Sequence, residues 1–232
     1  MSILHLNIRS IITMEKKIQL ADLIHNHNPD FISLNETFLK QKFTLEIEGY
    51  TIFRHDRPLR KGGGSALCIK NGIVGKQIII DNSILNEYIV GFLAKTAFGE
   101  IAIFSLNITP TNEPLNQKLF LFISKFKKFV LNGDLNSKSK LWHCTADNKR
   151  GLELEQLTTK HNLHILNNKK PTFIKSKSIL DLSICSNSWR CKFKKFSVLN
   201  DKISDHQPTV TIFKITTEKL TINISKIDQV ML

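Results

Sequence analysis

The chain alternates short apolar runs of strand length with amphipathic helices, and several runs stop at a carboxylate or an amide. Residues 129–131 lead into Gly133-Asp134-Leu135-Asn136, and residues 31–34 lead into Glu36. A further apolar run precedes Ser204-Asp205-His206. The order has no internal repeat and is too rich in strands for a strict strand–helix alternation. It predicts an α/β fold of two packed sheets with helices outside.

The apolar periodicity also sets the predicted elements. Helices are predicted over residues 15–27, 115–126 and 152–160, and the first would bury Met14, Ile18, Ala21 and Ile24. Strands are predicted at residues 3–8, 31–34, 50–53, 65–69, 88–94, 101–106, 129–131, 164–166, 180–185, 196–199 and 210–215. No long polar linker divides the chain, so one domain over residues 1–215 is expected, followed by a tail over residues 216–232 of uncertain order.

The charge balance points to a polyanionic partner. Lys and Arg number 33 against 20 Asp and Glu, which gives a net charge of +13. Between Lys125 and Lys195 there are 16 basic and 5 acidic residues, so most of the excess lies there. Such a concentration favours nucleic acid or an anionic membrane over a uniformly solvated lysine surface.

Membrane attachment is not expected. The longest apolar stretches have strand length, below the roughly 20 residues that a membrane helix needs, and no signal peptide opens the chain. The cysteines lack zinc-site spacing and are expected to be reduced thiols of an intracellular protein. These cysteines are Cys68, Cys144, Cys185 and Cys191.

The polar residues at the strand ends suit phosphodiester hydrolysis, which needs charge neutralisation, an activated water and a stabilised leaving oxygen. Glu36 and Asp205 are suitable ligands for Mg²⁺, which prefers carboxylates, waters and phosphate oxygens. Asp134 could accept a proton from water, and Asn136 could orient that water or a phosphate oxygen. Asp181 interrupts an apolar strand, so it needs a partner, and His206 is the natural one.

Each motif also has an ordinary interpretation when it is taken singly. Gly-Asp-x-Asn is a common turn, Glu36-Thr37 could open a helix, and Asp205-His206 could be a solvated turn before Pro208. Asp181 could cap a neighbouring loop. These interpretations weaken when all the motifs occur together, at strand ends, in a strongly basic chain.

The series of motifs resembles the endonuclease/exonuclease/phosphatase superfamily. The intervening sequence is most similar to the apurinic-like endonuclease domains of non-LTR retrotransposons, particularly jockey-like elements, over residues 3–213. The series is Asn7-Ile8-Arg9-Ser10, Leu34-Asn35-Glu36-Thr37, Gly133-Asp134-Leu135-Asn136, Leu180-Asp181-Leu182 and Ser204-Asp205-His206. Subgroup features are Leu141-Trp142, Asn148-Lys149-Arg150-Gly151, His161-Asn162-Leu163 and Pro171-Thr172-Phe173.

This resemblance implies a four-layer sandwich, with two mixed, mainly antiparallel sheets between helices. It implies a Mg²⁺ site, which Mn²⁺ could also fill, formed by Glu36 with Asn7 and Asp205. Asp134 would activate water or protonate the leaving group, Asn136 would orient phosphate or water, and the Asp181–His206 pair would contact the scissile phosphate. Phe173 and Leu180 would line the nucleotide pocket, and cleavage would leave a 3′-hydroxyl.

The sequence departs from the family pattern at one substrate-binding position. The family has a tyrosine in a Tyr-x-Pro-Pro stretch where this chain has Asn107-Ile108-Thr109-Pro110. Asn107 cannot supply a phenol to the phosphate, and loss of one transition-state donor costs on the order of 10²–10³ in rate.

The sequence therefore predicts an endonuclease module of a retroelement, a monomer as a domain. Its expected partners are DNA and a reverse transcriptase region of the same polyprotein, and the nucleus is its expected location. One alternative is a catalytically impaired, nucleic-acid-binding remnant. Another is a different phosphoesterase of the superfamily, such as an inositol-polyphosphate phosphatase or sphingomyelinase.

Overall fold

A computed structural model describes residues 1–57, 62–81, 87–111 and 113–217. Most of the predicted C-terminal tail, residues 218–232, lies outside the described residues. The helices are α1 Met14–His27, α2 Gln117–Ser124, α3 Lys149–Lys160 and α4 Asn187–Arg190, with a 3₁₀ turn at Lys140–Trp142. The strands are β1 Ser2–Asn7, β2 Phe31–Asn35, β3 Tyr50–His55, β4 Ser65–Lys70, β5 Gly75–Ile78, β6 Tyr88–Thr96, β7 Gly99–Asn107, β8 Phe129–Asp134, β9 Leu163–Ile165, β10 Asp181–Ser186, β11 Phe193–Val198 and β12 Thr209–Phe213.

The strands form two six-stranded sheets. One has the order β11-β12-β1-β2-β4-β3 and the other has the order β5-β6-β7-β8-β10-β9. Only the pairs β1–β2 and β7–β8 are parallel among the described strands, and the other pairs are antiparallel. The two sheets pack face to face through Ile3, Phe31, Ile103 and Val130. Helices cover both outer faces, so the predicted four-layer sandwich is confirmed.

The helix α1 differs from its prediction in the face that it buries. Leu20 and Leu23 are buried, whereas Met14 is 69% exposed and Ile18 is 55% exposed. The helix carries apolar residues on two sides, and the outer face of the first sheet buries the side with the two leucines. Apolar spacing alone therefore identified the helix but not its orientation.

Two elements have no counterpart in the predictions. The strand β5 is largely exposed and reads Gly-Lys-Gln-Ile, so it lacks the apolar alternation that marks a half-buried strand. The helix α4 spans only four residues, which is too short to show a helical period. No helix among the described residues has the length and apolarity to span a membrane.

The inward-facing side chains of the central strands change from apolar to polar toward one end of the sandwich, which we call the cleft end. In a strand, alternate residues face the same side, and each series below runs toward the cleft end. The series are Ile3, His5 and Asn7 in β1; Phe31, Ser33 and Asn35 in β2; Ile103, Ser105 and Asn107 in β7; Val130, Asn132 and Asp134 in β8; and Cys185, Ser183 and Asp181 in β10.

Hydrogen bonds across the two sheets join several side chains of this polar region. The Ser33 and Ser105 hydroxyls lie 2.7 Å apart, and Ser105 also lies 2.8 Å from the Ser65 hydroxyl. The Asn35 amide donates to Ser65 and Ser105 and accepts from the Asp134 backbone N–H. Because buried polar groups are costly unless they are paired, the network fixes the relative position of the two sheets at the cleft end.

Substitution of Gly133 tests how closely the backbones of β8 and β7 approach each other beneath the site. A Cβ atom at Gly133 would lie 1.8 Å from the Leu106 carbonyl oxygen on the neighbouring strand. We expect Gly133→Ala to lower the free energy of unfolding by about 3 kcal/mol or more, because backbone must move to relieve the clash. Urea denaturation followed by circular dichroism measures this change.

A matched control is Gly72→Ala. Gly72 has a φ of +87° but nothing within 4 Å of an added Cβ. Its substitution should cost about 1 kcal/mol, from backbone conformation alone. Equal losses in the two variants would contradict the close approach at Gly133.

Candidate active site

Ten residues are predicted to form the site, and seven of them line one open cleft of about 560 Å³. These seven are Asn7, Glu36, Asp134, Asn136, Phe173, Leu180 and His206. Asp181 and Asn107 are buried, and each is hydrogen-bonded to a residue that lines the cleft. Asp205 forms an ion pair with Arg9, which also lines the cleft. Side chains that are far apart in the sequence thus converge at one place.

A pair of buried carboxylates forms the centre of the site, with a histidine between them. Asp134 and Asp181 lie directly opposite each other in the antiparallel register of β8 and β10. His206 Nδ1 lies 2.7 Å from Asp181 Oδ2, and His206 Nε2 lies 3.8 Å from Asp134 Oδ2. Like charges directly opposite each other in a sheet are destabilising, so a cationic His206 offsets the repulsion.

These three groups have shifted pKa values. Burial alone would raise the pKa of Asp181, but His206 and His5 hold it well below its usual range. Burial opposes the charge of His206, yet Asp181 and the nearby carboxylates raise its pKa to about 9. Burial and the charge of Asp181 raise the pKa of Asp134 to about 7. At neutral pH Asp181 and His206 form an ion pair, whereas Asp134 can exchange a proton.

His5 is a member of this centre that the sequence analysis missed. It is 1% exposed, and its Nε2 lies 3.1 Å from Asp181 Oδ1 while its Nδ1 lies 2.9 Å from the Ser33 hydroxyl. With Asp181 ionised, the carboxylate oxygen accepts and His5 Nε2–H donates. Both Asp181 oxygens are therefore occupied by histidines. The only sequence signal was a histidine at an inward-facing position of an otherwise apolar strand.

Two of the three predicted metal ligands provide oxygen atoms that other groups leave free. Asn7 Oδ1 and Asp205 Oδ1 are buried and have no hydrogen-bond partner among the residues that the structure describes. Glu36 accepts N–H donors from Asn107 on Oε1, at 3.0 Å, and from Gly63 on Oε2, at 3.0 Å. Lys175 and Arg9 keep the pKa of Asp205 low despite its partial burial. This set fits a hard cation such as Mg²⁺, which selects carboxylate and carbonyl oxygens.

A second group of possible ligands lies beside this set. One ligand atom from each of Asp134, Asp181 and His206 falls within 4.8 Å of the other two. This group suits Mg²⁺ less well, because His206 offers a nitrogen atom, whereas Mg²⁺ prefers oxygen ligands.

Asn107 is buried beside Glu36. Its exposed fraction is 0%, and its Nδ2 donates to Glu36 Oε1 at 3.0 Å and to the Gly64 carbonyl at 3.4 Å. Its Oδ1 has no hydrogen-bond partner among the described residues. The predicted contact of Asn107 with substrate stays a prediction, and the structure adds its contact with the Glu36 carboxylate.

The backbone at the ends of the central strands adopts unusual conformations. Arg9, Ser10, Glu36, Phe38 and Asn136 all have positive φ angles, between 46° and 86°, and none of them is glycine. Such residues cost free energy and cluster at functional sites. The Asn136 N–H bonds back to Asp134 Oδ1 at 3.0 Å, and its Nδ2 donates to the Ile108 carbonyl at 2.8 Å. These bonds hold the Asp134–Asn136 turn open toward the cleft.

The apolar side of the cleft is built by the segment before β10. The Phe173 ring lies 4.7 Å from the His206 ring, centroid to centroid. Buried Thr172 accepts the backbone N–H groups of Leu180 and Asp181 on its hydroxyl, at 3.0 Å each. Phe173 and Leu180 both line the cleft, and Phe173 lies next to the histidine; their predicted role in a nucleotide pocket stays a prediction.

Arg150, in the Asn148–Gly151 motif, supports the opposite rim. It is 4% exposed, and its guanidinium donates to the Thr109 carbonyl, to the Glu113 carbonyl at 2.8 Å and to the Thr111 hydroxyl at 2.7 Å. Thr109 and Thr111 line the cleft. The motif therefore contributes to the site by fixing this loop, a role that sequence spacing did not reveal.

Nucleases are among the proteins that this chain is similar to. A family model described as Endonuclease-reverse transcriptase matches residues 101–210. Among solved structures, the chain is similar to the endonuclease domain of TRAS1, a telomere-specific non-LTR retrotransposon, with 21% identity and a TM-score of 0.73 over 92% of this chain and 98% of that one.

The fold is also shared with an APE2 catalytic domain and with an AP endonuclease. The APE2 catalytic domain of Xenopus laevis has 12% identity and a TM-score of 0.71, over 95% of this chain and 94% of that one. The AP endonuclease LMAP of Leishmania major has the same identity and TM-score, over 95% of this chain and 88% of that one. The comparison with curated proteins found no match.

The family model covers just under half of the chain, and the solved structures share its fold. The chain therefore has the fold that its resemblance to the endonuclease/exonuclease/phosphatase superfamily implied.

The contact between His5 and Asp181 can be tested through stability. His5→Leu removes one of the two donors to a buried carboxylate, so we expect the free energy of unfolding to fall by about 2 kcal/mol. The control His25→Leu changes an exposed histidine of α1 and should cost less than about 0.5 kcal/mol. If chemical denaturation gives the same value for both variants, His5 does not stabilise Asp181.

Proposed function

We propose that the chain is a Mg²⁺-dependent DNA endonuclease that nicks one strand of a duplex and leaves a 3′-hydroxyl. We further propose that it is the endonuclease module of a retroelement related to the jockey-like group, working with a reverse transcriptase region in the nucleus. The main support for this proposal is that one cleft is lined by Asn7, Glu36, Asp134 and His206. The buried Asp181 is hydrogen-bonded to His206.

Each residue has a defined task in this mechanism. Mg²⁺, held by Asn7, Glu36 and Asp205, would supply Lewis-acid stabilisation of the charge that develops on the phosphate. Asp134 takes a proton from the attacking water, which its pKa of about 7 allows near neutral pH. Protonated His206, kept cationic by Asp181, donates to a phosphate oxygen, and Asn136 orients the water or the phosphate.

The basic residues around the cleft support a nucleic-acid substrate. Arg9, Arg57 and Lys138 line the same cleft as the proposed catalytic residues, and Lys175 bonds Asp205 at 3.2 Å. Cations in these positions can neutralise the phosphates on either side of the cleaved bond. DNA binding should therefore weaken steeply as salt is added. A plot of the logarithm of the binding constant against the logarithm of the salt concentration should have a slope of about −0.9 for each neutralised phosphate of a duplex.

Plasmid nicking tests the reaction and its catalytic groups. Supercoiled plasmid incubated with the protein and Mg²⁺ should become the open circular form, and EDTA should prevent this. Asp134→Asn and His206→Ala should each lower the initial rate by about 10²–10⁴, because each removes a proton-transferring or charged group. Extension of the nick by a DNA polymerase without end repair would identify the 3′-hydroxyl.

Two surface variants control for general damage. Asp22→Asn and His25→Ala change exposed residues of α1 and should nick at the normal rate. Nicking that persists in Asp134→Asn and His206→Ala would contradict the proposal. Plasmid binding without nicking by the unaltered protein would favour the alternative of an impaired nucleic-acid-binding remnant, which the absence of the family tyrosine at Asn107 motivates.

The contact between Asn107 and Glu36 can be tested by metal binding alone. Asn107→Ala removes the donor that orients Glu36, and we expect it to weaken Mn²⁺ affinity by about 10–100-fold, as for other residues that orient metal ligands. Isothermal titration with Mn²⁺ measures this without substrate. The control Asn187→Ala changes an exposed asparagine at the start of α4, and its affinity should remain unchanged. An unchanged affinity in Asn107→Ala would remove Asn107 from the metal site.

A further inference from the structure

A cluster of cations lies at the end of the sandwich opposite the cleft. The strands β7 and β8 are parallel and run toward the cleft, so Phe98 and Lys128, which precede them, lie at the far end. The strand β10 is antiparallel to β8, so α4, which follows β10, lies there too. We call Lys127, Lys128, Arg190, Lys192 and Lys214 the distal basic surface.

Direct contacts join the members of this surface. The Lys192 ammonium lies 3.6 Å from the centroid of the Phe98 ring, and the Lys128 ammonium donates to the Phe98 carbonyl. The Lys214 backbone N–H donates to the Lys192 carbonyl at 2.8 Å, and the Ser188 hydroxyl of α4 donates to the Lys127 carbonyl. The segments that carry the cations are therefore held together by the fold.

Several cations of this surface lie beside aromatic side chains. Across the described parts of the chain, none of its five members forms an ion pair with a carboxylate. Three of the five contact aromatic rings instead: Lys192 lies against Phe98, Arg190 lies 5.1 Å from the Phe193 centroid, and Lys128 lies 5.8 Å from the Trp189 centroid. A ring attracts a cation but does not cancel its net charge, so the positive potential remains available to an anion.

We propose that the distal basic surface is a second nucleic-acid-binding surface, which holds the phosphates of an unpaired strand of DNA or RNA. Lysine and arginine track the backbone of single strands, and exposed aromatic rings beside them accept unstacked bases. Phe98, which is 46% exposed, supplies such a ring at the centre of the cluster. This inference rests on the proposed function only in taking nucleic acid as the natural ligand.

The distance from the cleft makes this surface separate from the catalytic one. The six residues of β8 join the two ends of the sandwich, and at about 3.3 Å per residue they span roughly 17 Å. A straight duplex that fills the cleft cannot also follow the far end of the domain. The strand at the distal basic surface is therefore another segment of the same polymer or a second molecule.

Two triple variants with equal charge change provide the test. The first replaces Lys127, Lys192 and Lys214 by glutamine, and the second replaces the exposed lysines Lys17, Lys118 and Lys160 by glutamine. Binding of a fluorescent 20-nucleotide oligo-dT, and separately of oligo-U, is measured by anisotropy in EDTA over a range of salt. Nicking of a short duplex that fills only the cleft is measured in parallel.

We expect the first variant to lose at least tenfold in affinity for the single strands and the second variant threefold at most. The slope of the logarithm of the binding constant against the logarithm of the salt concentration should fall in magnitude by about 2 in the first variant, because each of the three lost phosphate contacts with a single strand contributes about 0.7. Comparison of oligo-dT with oligo-U distinguishes DNA from RNA as the ligand. Both variants should nick the short duplex at the normal rate.

Equal losses of single-strand affinity in the two variants would overturn the proposal, because net charge alone would then explain the binding. Selective loss of binding to vesicles containing phosphatidylserine, with single-strand binding intact, would assign the surface to a membrane and also overturn it. Failure of the unaltered protein to nick DNA would contradict the proposed function. The binding measurement would still test the distal basic surface, because binding is measured without metal.

Discussion

The site depends on how the two sheets face each other. Sheets packed face to face normally bury apolar side chains along the whole of both inner faces, and here this holds for Ile3, Phe31, Ile103 and Val130. Toward the cleft end the same inward positions become serine, asparagine, histidine and aspartate. Their hydrogen bonds across the interface replace apolar packing, so the side chains of the candidate site are part of the contact between the sheets and not additions to its edge.

The part of that contact that costs the most free energy to bury is the pair of carboxylates on β8 and β10. Asp134 and Asp181 occupy opposed positions, and both are buried, so neither could remain ionised alone at low cost. His206 and His5 stabilise the charge of Asp181, and this leaves Asp134 as the group with a pKa near neutrality. The same neutralisation that stabilises the fold therefore divides the roles between the two carboxylates.

The fold and most of the site could be predicted from the sequence because each rests on a local pattern. Apolar alternation located nearly every strand, and polar residues at strand ends located Glu36 and Asp134. The features that were missed depend on orientation. The buried face of α1, the inward direction of Asn107 and the contacts of His5 and Arg150 follow from which neighbour each side chain meets, and no single segment encodes this.

The sequence by itself determined which residues could carry the chemistry, because residue type and position in a strand are written along the chain. It also determined the excess of positive charge and the order of the elements. Tertiary structure decided the partners: Asn107 with Glu36, His5 with Asp181, and a group of lysines at the end away from the cleft. The physical reason is that hydrogen bonding and charge neutralisation depend on distances of a few ångströms, which chain packing sets between residues remote in sequence.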